Sequence, residues 1–281
     1  MSQRRLWGTA SGMLTNVQYR ILKRLSPGSP DCCGGGAYAG KSKIAVLMGD
    51  DFFTKIAGKV IIDFGCGEGA DAVEMAEKGA RRVIGIDYRE SVLQRARQKA
   101  HEAGVQDTCL FATSTNELAD VVACMDAFEH FADPADVLRT ISTLLRPDGE
   151  VVASFGPTWY HPLGGHLFSV FPWAHLIFSE KALIQWRSTF KTDGATRFSE
   201  VAGGLNQMTI ARFERLIADS PLKFVSLELV PIRKLHRFHN RLTREFTTAI
   251  VRCRLVKRAS ATELAQTAAK IVLAPSSSRA S

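Results

Sequence analysis
The sequence predicts an α/β fold, a doubly wound and mostly parallel sheet with helices on both faces. Three observations predict it. Short apolar runs recur between residues 59 and 155, and stretches with helical character separate most of them. Two of those helical stretches stop at glycines, Gly79 and Gly104, which suit the C-terminal cap. The first apolar run ends in a Gly-x-Gly turn. Strands buried on both faces read as continuous apolar runs. Strands that alternate with helices line up in parallel.

The elements follow in order. Leu14 to Leu25 suits a short basic amphipathic helix, residues 26–40 a Pro/Gly/Ser loop, and Lys41 to Met48 another short helix. KVIIDF, from Lys59, is the first strand, and Gly69 to Lys78 the helix after its glycine turn. RRVIGID is the second strand, and Glu90 to Glu102 the next helix. Residues 108–113 and 119–125 are the third and fourth strands, with too little chain between them for a helix. Asp133 and Pro134 supply an N-cap and a first-turn proline for a helix to Leu145. A Pro-Asp-Gly turn at 147–149 leads to the fifth strand, 150–155. The rhythm breaks over 156–208. It returns with a helix from Thr209 to Asp219 and strands at 222–230 and 245–256. In the last strand Arg252 and Arg254 share one face, because strand side chains alternate. The expected organisation is an N-terminal extension (1–40), a main domain (41–258) with an insertion at 156–208, and a flexible tail (259–281).

With 281 residues, 46% of them hydrophobic and 23% charged, the composition excludes a wholly disordered chain. No apolar run approaches the roughly 20 residues of a membrane span. The basic N-terminus is followed by no apolar stretch of a secretory signal. The six cysteines contain no C-x-x-C pair, so a zinc ribbon is not expected. Scattered thiols with no export signal suit the cytoplasm. The net charge of +8 resides in one place: between Pro231 and Arg258 there are nine Lys/Arg and one acid, Glu245. The remainder of the chain is balanced. Such an end suits an anionic partner or a membrane surface, or it is a solvated edge. Nucleic acid is not favoured, since only Phe238 and Phe246 interleave the basic residues.

The glycine loop poses the question of cofactor. Gly65, Gly67 and Gly69 lie where a strand becomes a helix, which allows a tight turn and close backbone approach to a ligand. Gly65-x-Gly67-x-x-Ala70 also fits a dinucleotide fingerprint. The acids separate the two readings. A pyrophosphate on a helix N-terminus is repelled by negative charge, yet this helix opens with Glu68 and Asp71, and Asp63 precedes the loop. A cofactor with an ammonium group and no phosphate suits the site better, and S-adenosylmethionine has both properties. Asp87, at the end of the second strand, can accept hydrogen bonds from both ribose hydroxyls and does not separate the two cofactors.

DFGCGEG, VIGID, DVVACMDAFEH with its following DP, and LLRPDGEVVASF stand in register over residues 59–156. Together they resemble the class I S-adenosylmethionine-dependent methyltransferases. The resemblance implies a seven-stranded sheet whose last strand is antiparallel. It implies that Asp63, Gly65 and Gly67 line the methionine part of the cofactor, that Asp87 holds the ribose, and that Met125 reaches the adenosyl group. The family often has an acid after the third strand near the adenine amine; TSTNEL offers no match here.

Residues 156–178, rich in aromatics and holding His161, His166 and His175, follow the fifth strand, where a ligand crevice opens. They read either as a substrate lid or as a packed loop with its own small core. His130 follows the fourth strand and is a candidate general base, or a helix-entry residue. The candidate catalytic residues are thus His130, His161 and His166, and no metal site is expected. The expected reaction is in-line methyl transfer from S-adenosylmethionine to a small-molecule acceptor, of a lipid- or phosphate-bearing kind given the apolar lid and Arg-rich end. Two alternatives stay open. One is an NAD-dependent oxidoreductase or epimerase, although the Tyr19-to-Lys23 pair precedes the glycine loop. The other is a non-catalytic protein of the same fold that binds a partner.

Overall fold
The computed structural model describes residues 3–28, 41–49, 51–201 and 204–258. Cys32, Cys33, most of the 26–40 loop and the 259–281 tail lie outside these. In chain order the elements are α1 (Gln3–Leu25), α2 (Lys43–Met48), α3 (Asp51–Ile56), β1 (Val60–Phe64), α4 (Ala70–Glu77), β2 (Arg82–Ile86), α5 (Glu90–Glu102), β3 (Cys109–Ala112), β4 (Ala119–Met125), α6 (Pro134–Leu144), β5 (Leu145–Phe155), α7 (Ala174–Ile177), α8 (Glu180–Arg187), α9 (Ile210–Ala218), β6 (Leu222–Pro231), α10 (Arg244–Thr247) and β7 (Thr248–Lys257).

The seven strands form one sheet in the order β3-β2-β1-β4-β5-β7-β6. β1 to β5 are parallel, and β7 runs antiparallel to both β5 and β6. The continuous apolar runs are explained by two cores. Ile62 and Val122 face the layer of α6 and α9, with Phe128, Phe155 and Phe213. Ile61 and Val121 face the layer of α2 to α5, with Met75 and Leu93. Neighbouring strand residues thus serve opposite faces, so no polar position interrupts the run. The direction of winding reverses between β1 and β4, which opens a crevice at their carboxyl ends.

The insertion builds a third core. Phe168, Trp186 and Phe198 pack there with Leu22 of α1. Trp186 Nε1 donates to Ser26 O at 2.9 Å, and Gln18 Oε1 accepts from the N–H and hydroxyl of Ser179. The packed-loop reading of the aromatic insertion is the one this core supports.

Four local expectations change. The first helix begins at Gln3 rather than Leu14, and α3 and α8 appear where no helix was expected. The 147–149 turn lies inside β5: Leu145 pairs with Ala119 and Glu150 with Val121, so the residues between them bulge. The last strand starts at Thr248, not at residue 245. Glu245 accepts hydrogen bonds from Ile210 N and Ala211 N, at the positive N-terminus of α9. Arg244 forks onto Glu214 of the same helix. These contacts wind 244–247 into a helical turn before pairing begins. Among the described residues, no helix is long and apolar enough to cross a membrane.

Candidate active site
The glycine loop is pinned to the end of β2. Gly65 N and Cys66 N both donate to Ile86 O, at 2.8 and 3.0 Å. Gly67 has φ +53°, and a side chain there would meet nothing within 4 Å, because that face is open. Gly65, at φ +84°, lies so near Ala127 that a Cβ would approach its methyl to 3.1 Å. One glycine thus keeps a wall open and the other lets two loops touch.

Carboxylates ring this loop. Asp63 is 2% exposed, and its Oδ2 is buried without a hydrogen-bond partner. Burial, with Asp71 adding to it, pushes the Asp63 carboxyl up to about 8, against the pull of Lys43. Asp71 is bridged by Lys43 Nζ of α2 at 2.6 Å. Ser42, the N-cap of α2, donates its hydroxyl to Glu74. Glu68, in contrast, is half exposed and pairs with Arg95 and Lys99 of α5. The acidity of the site therefore comes from Asp63 and Asp71 more than from Glu68.

Asp87 is held on all sides. Its Oδ1 accepts from Arg89 N and Nε, and its Oδ2 from Arg89 Nη2 and Gly67 N. Burial works against its ionisation, but the Arg89 hydrogen bonds outweigh it and the carboxyl falls below its usual range. Two cavities adjoin the loop. One, of about 320 Å³, is walled by Phe64, Ile86, Ala127, Phe131 and Val137, with Asp87 and His130 at its polar side. The other, more open and of about 530 Å³, is lined by Gly67, Asp71, Lys43, Met125 and Asp126. Gly65, Arg89 and Asp126 belong to both, so the two make one cleft. Met125 is buried at the end of β4, where Ser154 Oγ meets its sulfur at 3.5 Å. Asp126 takes a left-handed φ of +51° just after it, the strained backbone that clusters at functional sites.

The histidines gather on the far side. The rings of His130 and His166 are 5.3 Å apart, edge to face. His130 Nδ1 is 2.9 Å from Gly204 O. A carbonyl only accepts, so Nδ1 carries the proton and Nε2 keeps a lone pair. Asn206 Nδ2 pins the His130 turn by donating to Phe128 O and Phe131 O. His166 Nε2 is buried without a partner, and burial with His130 beside it lowers the ring to about 4. Burial also lowers His161 to about 4, and its Nδ1 accepts from Leu163 N. His175 is fixed to Trp159 O at 2.6 Å. Of the three candidates, His130 alone lines the cleft. Among the described residues, no group of three or more could hold a metal ion.

The family model of a methyltransferase domain matches residues 55–159, a span that contains the whole glycine loop, Asp87, Met125 and His130. Residues 55–159 are similar to a methyltransferase domain. The chain is similar to a ubiquinone biosynthesis O-methyltransferase of Stutzerimonas stutzeri, 39% identical over 110 residues, 37% of this chain and 47% of that one. A protein of that name from Aeromonas salmonicida is 45% identical over 103 residues, 34% of this chain and 43% of that one. The chain thus spans about half the length of these relatives. The crystal structure of the cyclase SpnF shares the fold, with a TM-score of 0.50 at 13% identity, over 75% of this chain and 80% of that one.

The matched span leaves part of the cleft to residues outside it. Lys43 comes from α2, and Gly204 and Asn206 come from the segment before α9. Sequence reasoning missed Lys43, Arg89, Glu129 and Asn206. Arg89, two residues past Asp87, was open to suspicion as its neighbour. Lys43 and Asn206 carry no local signal, because tertiary packing alone brings them in. Glu129 is 2% exposed, and burial with Asp126 nearby pushes it up to about 8. Its Oε1 accepts from Gly156 N.

Proposed function
We propose that this chain transfers the methyl group of S-adenosylmethionine to the oxygen of a small-molecule acceptor, one that carries a lipid-like or phosphate-bearing part. The observation that supports it most is the buried, unpartnered Asp63 oxygen beside Asp71, at the edge of an open glycine loop. A cationic, phosphate-free cofactor fits that cradle, and a pyrophosphate does not. In this reading Asp63, Gly65 and Gly67 would hold its methionine part, Asp87 its ribose and Met125 its adenosyl side. Arg89 yields the Asp87 carboxylate when the ribose takes it. When bound, the cofactor supplies a methyl group already activated by its sulfonium.

The protein's main work is then to place nucleophile, methyl and sulfur in line. His130 Nε2, with its lone pair fixed by the Nδ1–H bond to Gly204, takes the proton of the acceptor hydroxyl as the O–C bond forms. His166, held neutral by burial, packs edge to face on His130 and backs its ring. The working unit is 41–258, with α1 of the N-terminal extension packed on its insertion. Cys66, Cys109, Cys124 and Cys253 are buried free thiols, which supports a reducing, cytoplasmic setting. The O-methyltransferase names of the relatives support oxygen as the attacked atom.

His130→Gln tests the base. It is expected to lower kcat by roughly 10²- to 10⁴-fold and to leave cofactor affinity unchanged. Wild-type turnover of labelled cofactor by the variant contradicts a base at this position.

A further inference from the structure
We propose that the connection between β6 and β7, residues 232–247, docks this protein on an anionic lipid bilayer. Pro231 pairs with Thr248, and Val251 pairs with Phe155 at the carboxyl end of β5. The connection therefore stands at the edge of the sheet where the cleft opens. Phe246 packs on Tyr160 of the insertion, ring centroids 5.3 Å apart.

Its outer surface is both cationic and apolar. Leu242 is 91% exposed, Phe238 65% and Phe246 45%. Arg233, Lys234, Arg237 and Arg241 are exposed beside them. The other arginines of the basic end differ: Arg244, Arg252 and Arg254 each pair with a glutamate, and Arg258 donates to the carbonyls of Ile217, Ala218 and Ser220. The one acid in the connection, Glu245, is held at the N-terminus of α9. Nothing in the connection thus offsets its exposed cations.

The connection is built rather than frayed. Asn240 Oδ1 accepts from Leu242 N and Thr243 N, Ile232 N donates to Thr247 O, and His239 Nδ1 bonds the Thr247 hydroxyl. A hydrogen-bonded loop that holds Leu242 and Phe238 in water, with four exposed cations that pair with no acid among the described residues, has the composition of an interfacial anchor. Its charge complements anionic headgroups, and its apolar tips complement the acyl boundary beneath them. A free phosphate-bearing solute answers the charge and leaves Leu242 in water. α1 repeats the pattern on the same insertion: Leu14, Val17, Ile21 and Leu25 are exposed at helical spacing, with Arg20, Lys23 and Arg24 exposed as well.

The proposal is independent of methyl transfer, and its test uses the full chain without cofactor. Co-sedimentation is measured with vesicles of phosphatidylcholine alone, and with vesicles in which about a third is phosphatidylglycerol. The expected result is partitioning at least about tenfold stronger on the anionic vesicles, and weaker at high salt. The double variant F238S/L242S keeps every charge and is expected to lose most of that binding. R233E/R237E is expected to lose it too. Melting curves matched to wild type show that both variants fold. Equal partitioning on the two vesicles, or none, overturns the proposal. So does F238S/L242S binding like wild type, which reduces the contact to headgroup charge. A single-stranded RNA that binds the connection more tightly than the anionic vesicles overturns it in favour of nucleic acid.

Discussion
Asp63 buries one carboxyl oxygen, Oδ2, with no hydrogen-bond partner among the described residues. Its oxygen waits on a charge that the fold itself only partly supplies, through Lys43 across Asp71. Asp63→Asn is therefore expected to weaken S-adenosylmethionine binding by roughly 10- to 150-fold, the worth of a hydrogen bond to a charged group. Titration calorimetry reads this directly. Arg89 acts in the opposite sense. It fills the Asp87 carboxylate, and a ribose must displace it, so Arg89→Ala is expected to tighten cofactor binding about two- to fivefold. An unchanged affinity indicates that Asp87 holds both at once. These two roles differ in legibility. The acid before a Gly-x-Gly turn and the acid closing the next strand are local signals. The direction an arginine side chain takes is set by the packing around it.

The two buried acids also set a pH dependence. Asp63 and Glu129 are both raised to about 8 by burial, whereas the unfolded chain ionises such groups near 4. The folded protein therefore holds protons that the unfolded chain has released. Their contribution to stability is complete below about pH 4 and is lost as the pH rises through about 8. The melting temperature is expected to fall across this window. Glu129→Gln keeps an acceptor for Gly156 N and is expected to flatten that fall. Cofactor affinity has the opposite slope. Asp71, Lys43 and Asp87 face Asp63, and a bound cation favours its ionised form, so binding strengthens as the pH approaches 8.

At the scale of elements, β1 to β5 and the helices between them were readable because periodicity is local. Continuous apolar runs, glycine caps and the Asp133-Pro134 entry each act within a few residues. The failures occur where a distant residue decides. The strand expected from residue 245 begins at Thr248 because Glu245 and Arg244 reach α9. Glu245→Ala removes two hydrogen bonds and a charge at a helix N-terminus. It is expected to cost about 1–2 kcal/mol in a denaturant melt. A loss within error means that the turn 244–247 holds without this anchor. α8 and the long α1 were equally illegible. Each is stabilised by the other through Leu22, Trp186 and Gln18, contacts about 160 residues apart.

Across the whole molecule, the sheet divides the labour. The crevice between β1 and β4 gathers acids, the insertion packs its aromatics into a core of its own against α1, and the antiparallel edge carries exposed cations. That polarity was visible in the sequence as a charge of +8 confined to residues 231–258. What the sequence left open was which of those cations are free. Among the described residues the fold pairs Arg244, Arg252 and Arg254 with glutamates, turns Arg258 onto backbone carbonyls and leaves Arg233, Lys234, Arg237 and Arg241 exposed. Acid cleft and basic edge lie at the same end of the sheet, an arrangement that suits an acceptor drawn from an anionic surface.

The acid-ringed glycine cleft is expected to take a cationic, phosphate-free cofactor. Isothermal titration of the full chain with S-adenosylmethionine, S-adenosylhomocysteine and NAD in parallel tests it most directly, with Asp87→Ala as the control. The account predicts binding of the first two, none of NAD, and loss of both by Asp87→Ala. Binding of NAD, with none of S-adenosylmethionine, would contradict it.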